Sequence, residues 1–338
     1  MSIRLIETSL TAAALGTAVL LAGCGGGGGD APAPTMPVPV VTDAQRIAAA
    51  TATAQSASNY CAAIQPFYWE LGDLSARLAS GSVNSATDPT VYTATTQMSI
   101  ASSTKWLYAA YVTQKRPAGL TASDIKFLNF RSGYTSFTTC LPGQTVDSCL
   151  NTGNNGLHSD ATDGSFFYSG GHMQKHASLE GLGALGSIAF ATELRSQIGT
   201  DIGLAFSQPQ PAGGGISSAD DYARFLRKLL AQQLLMSGVL GTNAVCANPL
   251  TCPAGVADST PVPTNETWHY SIGHWVEDDP VVGDGAFSSA GSFGFYPWID
   301  ASKHWYGVIA RRADSGSGID SVQCGRQIRK AWVTGVAQ

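Results

Sequence analysis

Charge is the scarcest feature of this sequence. Asp, Glu, Lys and Arg make up 13% of its 338 residues, about half the usual share in globular proteins. The 19 basic residues form no cluster and the net charge is −5, which excludes the basic stripe that nucleic-acid binding needs. Apolar runs are short as well: the longest, residues 10–22, is too brief to stand as a permanent membrane-spanning helix. No Cys-x-x-Cys or paired Cys/His spacing occurs, so a structural zinc site is not indicated. His172 and His176 have the i, i+4 spacing of a zinc-protease helix, but Met173 stands where that motif needs Glu, and no metal ligand is assigned. There is no Gly-x-Ser-x-Gly elbow of the α/β-hydrolases. The glycine run from Gly25 to Gly29 precedes neither a strand nor a helix, so it is not a phosphate loop. No cofactor is expected.

What is present is apolar bulk: 44% of the residues are hydrophobic, enough for one large domain or two intimately packed ones. The first residues read as a targeting segment. Arg4 supplies a weakly positive start, and the apolar run ends in Leu21-Ala22-Gly23-Cys24. That ending resembles the lipobox of bacterial lipoproteins. The resemblance implies a signal peptide over residues 1–23, acylation of Cys24, and a lipid anchor in the bacterial cell envelope, at the outer membrane or in the periplasm. Residues 24–42 are then a Gly- and Pro-rich tether. Its flexible part, about 17 residues, reaches roughly 20–25 Å, so a domain spanning residues 43–338 can hang clear of the membrane. Six cysteines remain after Cys24, an even number suited to an oxidising compartment. Cys140 and Cys149 bracket a short loop with Pro142 and Gly143, and Cys246 and Cys252 bracket another with Pro249. Local pairing leaves Cys61 and Cys324, near the two ends of the domain.

The period of the apolar residues changes along the chain. Residues 43–63 are Ala-rich, lack Gly and Pro, and read as a helix. Phe67-Tyr68-Trp69-Glu70-Leu71-Gly72 and the stretch before Ser82 read as a strand pair. Residues 102–113 carry good helix formers, with Trp106, Leu107, Ala109, Ala110 and Val112 apolar. Residues 117–166 are loop-like with short helical pieces, and 172–198 read as one or two helices. Residues 217–235 form an amphipathic helix opened by Ser218-Ala219-Asp220-Asp221. Residues 268–276, 291–299 and 305–310 read as three strands, and 323–334 close the chain as a helix. Strands and a helix at each end, with helices between, imply an α/β body plus a helical insert.

One of these helices opens with Ser102-Ser103-Thr104-Lys105. Residues i and i+3 share a helix face, so the lysine reaches the hydroxyl of Ser102. The helix N-terminus favours an anionic nucleophile, and a serine needs a neighbour that takes its proton. The surrounding Met98-Ser99-Ile100-Ala101-Ser102-Ser103-Thr104-Lys105-Trp106 resembles the nucleophile segment of class C β-lactamases, family VIII esterases and related D-aminopeptidases and carboxypeptidases. Four further segments follow in the order that family has them. Phe130-Arg131-Ser132-Gly133-Tyr134 resembles its His-Thr-Ser-Gly stretch, and Phe166-Phe167-Tyr168-Ser169-Gly170-Gly171 stands at its Tyr-x-Asn motif. Residues 211–225, from Pro211-Ala212-Gly213-Gly214-Gly215 to Tyr222-Ala223-Arg224-Phe225, resemble its Ala-Gly-Gly-x-x-Ser-x-x-Asp-x-x-Arg-Phe stretch. Ser289-Ala290-Gly291-Ser292-Phe293-Gly294 falls where Lys-Thr-Gly or His-x-Gly sits. The resemblance runs from about residue 60 to 335.

It implies a β-lactamase/transpeptidase-like α/β (α+β) fold: an antiparallel sheet flanked by the N- and C-terminal helices, a mostly helical subdomain, and an active site between them. A Cys61–Cys324 bridge then joins the two terminal helices. Ser102 is expected to attack a carbonyl and become acylated, with Lys105 and Tyr168 sharing the proton traffic and the backbone N–H groups of Ser102 and Ser292 forming an oxyanion hole. Ser103 is expected to be nearly dispensable. A lysine ammonium beside Tyr168 should lower the phenol's pKa, so either the phenolate or a neutral Lys105 serves as base. Two departures bear on the substrate. Gly170, after Ser169, stands where the family has Asn. Ser289, ahead of Ala290 and Gly291, stands where a Lys or His helps bind a substrate carboxylate. The expected function is hydrolysis of a small uncharged carboxylic ester or amide. The alternatives are a D,D-peptidase or weak β-lactamase acting on peptidoglycan-like substrates, and a catalytically silent binding protein on the same scaffold.

Overall fold

A computed structural model describes residues 40–314 and 318–338. Val41–Gln338 form one compact unit. The expected signal peptide, Cys24 and the tether up to residue 39 lie outside the described residues. Among those described, no helix is long and apolar enough to cross a membrane.

Helix α1 (Asp43–Ala54) starts at a capping box, in which Thr42 Oγ1 accepts from the N–H of Gln45 and the Gln45 side chain accepts from that of Thr42. The helix stops earlier than its Ala-rich composition predicts. Ser56 Oγ accepts the N–H of Ser58 and Asn59 Oδ1 that of Cys61, local bonds that compete with helical ones. The chain then forms β1 (Phe67–Gly72) and β2 (Arg77–Val83).

The main sheet has eight antiparallel strands in the order β2-β1-β13-β12-β11-β10-β9-β7. Its later members are β7 (Val245–Cys246), β9 (His269–Ser271), β10 (His274–Glu277), β11 (Ala286–Ser288), β12 (Tyr296–Ile299) and β13 (Tyr306–Ala310). A small ribbon joins β3 (Met98–Ser99), β6 (Gly215–Ser217) and β5 (Ala205–Phe206), while β4 (Phe166–Phe167) pairs in parallel with β8 (Ala257–Ser259).

Successive strand residues face opposite sides, and this sorts the helices. Tyr296 and Trp298 of β12 face α8 (Gly318–Thr334): Arg329 donates to the Tyr296 hydroxyl at 3.0 Å and lies over the Trp298 ring. Phe295 and Tyr306, on the other face, meet Tyr222 and Arg227 of α7 (Ala219–Leu230). Helix α1 lies along α8, where Arg46 donates to the Trp332 carbonyl at 2.6 Å. The insert comprises α3 (Ala122–Leu128), α4 (Val146–Leu150), α5 (Gly171–Ala177) and α6 (Ser187–Ile198), with α2 (Thr104–Gln114) packed on α6. Residues Thr104 to Thr113 of α2 are all buried, so this helix is the spine between sheet and insert. The fold is the α/β arrangement expected, with an antiparallel sheet and terminal helices side by side. The disulfides Cys61–Cys324, Cys140–Cys149 and Cys246–Cys252 are the three pairs expected.

Two strand expectations need correction. Residues 268–276 are a hairpin of β9 and β10, because Gly273 turns at φ +73°. A Cβ at Gly273 would come 2.4 Å from Ala109 Cβ and 2.8 Å from the Lys105 carbonyl, so this turn sits directly on α2. Of residues 291–299 only Tyr296–Ile299 is strand. Ahead of it the chain turns back on itself, with the Gly291 N–H donating to the Phe295 carbonyl at 2.8 Å. Strand β11 escaped notice because its three residues are all buried, which leaves no alternation to read.

Candidate active site

Ser102 lies in a short 3-10 turn (Ala101–Ser103) that runs into α2. Ala101 before it has φ +42°, a left-handed conformation uncommon for a residue with a Cβ. Its neighbours over-determine that conformation. The Ile100 N–H donates to the Gly215 carbonyl at 3.0 Å, and Thr104 Oγ1 donates to the Ala101 carbonyl at 2.6 Å. Thr104 Oγ1 also accepts the Gly215 N–H at 3.1 Å, and the Tyr222 hydroxyl donates to the Ser103 carbonyl at 2.8 Å. A Cβ on Gly215 would sit 2.6 Å from Thr104 Oγ1. The segment 211–225 is therefore a clamp on the Ser102 turn. Ser103 does not line the cleft. It is buried, and its hydroxyl donates to the Ser289 carbonyl at 2.5 Å. Its removal should cost roughly 1–3 kcal/mol of stability for the orphaned carbonyl, although it stays clear of the chemistry.

Lys105 Nζ donates to Ser102 Oγ at 2.8 Å and to the Ala212 carbonyl at 2.5 Å. It also lies 4.8 Å over the Tyr168 ring. Burial alone pushes its pKa down to about 7, because the ammonium loses its water. Tyr168 stacks on Trp275 at 5.2 Å and meets Phe130 edge-on. Burial pushes its hydroxyl up to about 12, with hydrogen bonding to Ser102 and Trp275 opposing the shift. The expectation that Lys105 lowers this phenol's pKa is thus overturned. Both groups are buried and desolvated, which disfavours the ammonium and the phenolate alike. Near pH 7 the Lys105 amine therefore reaches its neutral form far more readily than the Tyr168 phenol reaches its phenolate.

His172 has a role that the sequence did not suggest. The Ser132 N–H and hydroxyl both point at its Nδ1, at 3.3 and 2.8 Å. An amide N–H only donates, so Nδ1 accepts and Nε2 carries the proton, which goes to the Phe167 carbonyl at 3.0 Å. Burial holds the ring neutral, with its pKa lowered to about 4. Ser132 thereby fixes the backbone next to Tyr168 through His172. The second histidine, His176, bonds Tyr108 and Asp124. Asp124, His176 and Glu180 bring donor atoms within 4.8 Å of one another, but Arg116 pairs with both carboxylates and supplies the charge a cation would.

The two departures from the family pattern have structural reasons. A Cβ on Gly170 would lie 3.0 Å from the Phe137 ring and 3.3 Å from Ala212 Cβ, so an Asn side chain here would require Phe137 to shift by a few tenths of an ångström. Neighbouring Ser169 donates to the Thr135 carbonyl at 2.9 Å. Ser289 is buried, and its hydroxyl donates to the carbonyl of Ser102 at 3.2 Å rather than into the cleft. Arg311 turns to Ser321, while Arg312 pairs with Asp314 and lies over the Phe293 ring at 5.9 Å, and neither lines the two cavities at Ser102.

Two cavities open on Ser102, and Tyr168 and Ser292 line both. One, of about 150 Å³, is apolar: Pro261, Val262, Trp268, Trp275 and Ala290 form its wall. The other, of about 440 Å³, is polar: Lys105, Thr135, Thr138, Ser169, Gln208 and Gln210 face it. Among the described residues, Lys105 is the one charged side chain on either wall. The aromatic wall was missed at the sequence level, where Trp268 and Trp275 read only as strand residues.

No protein-family model and no curated protein matches this chain. Solved structures do. EstCE1, described as a hydrolase with promiscuous acyltransferase activity, superposes with a TM-score of 0.59 at 12% identity, covering 86% of this chain and 99% of its own. The D-amino acid amidase of Ochrobactrum anthropi gives 0.57 at 13%, covering 82% and 99%. A β-lactamase from Mycobacterium bovis gives 0.50 at 13%, covering 81% and 96%. At such identities the likeness is one of architecture, and in architecture this chain has the β-lactamase/transpeptidase-like fold.

Proposed function

We propose that this protein is a serine hydrolase of small uncharged carboxylic esters, with amides as harder substrates, working through an acyl-enzyme on Ser102. The observation that carries the reading is the 2.8 Å contact between Ser102 Oγ and a buried Lys105 whose pKa is lowered to about 7. Ser102 Oγ attacks the carbonyl carbon as its proton passes to Lys105 Nζ. The N–H groups of Ser102 and Ser292 receive the oxyanion. When the C–O bond breaks, Lys105 returns the proton to the leaving alcohol, with the Tyr168 hydroxyl in the relay. A water then attacks the acyl carbon as its proton passes to Lys105; the acyl–Oγ bond breaks, Lys105 returns that proton to Ser102 Oγ, and the acid leaves. The export leader and Cys24 lipobox, together with three disulfides, support a place in the bacterial envelope, and we include that in the proposal.

The lysine's lowered pKa sets a pH dependence. A base must be neutral to act, so kcat/KM should rise through about pH 7 and level off above it. Lys105→Ala should cost at least about 100-fold, the size of a lost acid–base partner, and should abolish the limb near neutrality. A limb at the ordinary lysine pKa, or a limb surviving in the variant, would reject Lys105 as base.

The substrate panel tests the function itself. A charge-assisted hydrogen bond contributes roughly 1.5–3 kcal/mol, against about 1 for a neutral one. A cleft without a carboxylate-binding cation therefore loses on the order of 10-fold on anionic substrates. Short neutral esters should be cleaved with higher kcat/KM than nitrocefin or peptides ending in D-Ala-D-Ala. The reverse order would favour the D,D-peptidase or β-lactamase alternative.

A further inference from the structure

The two cavities at Ser102 differ in chemistry, and catalysis assigns them different halves of the substrate. The following rests on the hydrolase reading. In the second half-reaction water must attack from the position the leaving alcohol has vacated, and it must hand its proton to the same base. Lys105 faces only the polar cavity of about 440 Å³. That cavity is therefore the leaving-group and water side, and its hydroxyl and amide side chains suit a neutral polar alcohol. The acyl group is left with the aromatic cavity of about 150 Å³. An apolar cavity of roughly 150 Å³ admits a benzene-sized guest.

One side chain lining that cavity, Trp268, is held in place by an ion-paired network. Trp268 Nε1 donates to Glu266 Oε2 at 2.8 Å. Arg326 of α8 donates to the same carboxylate oxygen at 2.8 Å and lies 4.9 Å over the Trp268 ring. Arg326 is itself held by Glu277 at 3.0 Å. The indole is thus gripped at its nitrogen and over its face by groups that are themselves paired. On the near side, Trp275 packs edge-on against Trp268 at 5.6 Å and stacks on Tyr168. We propose that the aromatic cavity is an acyl-specificity pocket for apolar acyl groups up to benzoyl size, carried on a neutral polar alcohol, and that Trp268 sets its length limit.

The test uses monoesters of one polar alcohol, glycerol acetate, butanoate, benzoate and octanoate, with acid release followed by pH-stat. A methylene that fits or fails to fit an apolar pocket changes the specificity constant about 10- to 200-fold. Butanoate and benzoate should therefore exceed octanoate in kcat/KM by at least about tenfold. Trp268→Ala should raise the octanoate-to-butanoate ratio by a similar factor. Val262→Phe, at another residue lining the same cavity, should lower the benzoate-to-acetate ratio about tenfold or more. Octanoate cleaved as well as butanoate by the natural protein, or both ratios unmoved in folded variants, would overturn the assignment. If no glycerol ester is cleaved and Ser102 resists a fluorophosphonate, the hydrolase reading fails and takes this inference with it. Cleavage without a size break defeats the inference alone.

Discussion

Ser102→Ala should abolish turnover of every ester the natural protein accepts, a loss of at least about 10⁴-fold. Nucleophile removal in serine hydrolases leaves only what substrate binding and the oxyanion hole supply. The variant should fold normally: Ser102 lies on the cleft wall, and its partner Lys105 keeps the Ala212 carbonyl. The informative control is the adjacent serine. Ser103→Ala removes a hydroxyl of the same kind one residue along the chain, yet that hydroxyl points at the Ser289 and Phe295 carbonyls. It should lower the melting temperature and leave kcat nearly intact. Activity that survives at Ser102→Ala and disappears at Ser103→Ala would place the nucleophile in the wrong register.

Loss of the Cys61–Cys324 bridge should be the most destabilising change to a disulfide in this protein. The bridge spans 263 residues, whereas the other two span 9 and 6. In the chain-entropy model a loop of that length contributes roughly 5.5 kcal/mol, and each short loop roughly 2–3 kcal/mol. Both Cys61 and Cys324 are fully buried; Cys61 lies in a 3-10 turn (Tyr60–Ile64) beyond the end of α1, and Cys324 lies within α8. The bridge therefore ties α8 to the turn that follows α1 rather than to α1 itself, a correction to the expected helix-to-helix link. Replacing both cysteines by serine should lower the unfolding free energy by roughly 5–6 kcal/mol, about twice the effect of either local pair. Denaturant melts of the three double variants make the comparison, and equal losses would show that loop length does not govern the effect.

Much of the site was legible in the sequence because it is local. Ser102 and Lys105 are one helical turn apart, so their contact follows from spacing alone. The order of the segments around Ser132, Tyr168, residues 211–225 and Ser289 indicated what assembles around them. Two kinds of feature stayed hidden. The first depends on burial: the packing that brings Lys105 to Tyr168 removes water from both, so the phenol's pKa rises where charge proximity alone said it should fall. The second depends on tertiary pairing. Trp268 and Trp275 alternate along what looks like one strand, and only the turn at Gly273 folds them into the wall of a cavity. His172 is similar: its spacing to His176 suggests a shared ligand, while the fold sends one ring to Ser132 and Phe167 and the other to Tyr108 and Asp124.

The central claim is that a buried, readily neutralised Lys105 activates Ser102 as a nucleophile. Reaction with an alkyl fluorophosphonate at pH 8, read by intact mass and peptide mapping, tests it most directly. The expected result is one adduct per chain, on Ser102, formed far more slowly in Lys105→Ala. An unreactive protein, an adduct on another serine, or labelling of Ser102 that proceeds equally well without Lys105 would contradict it.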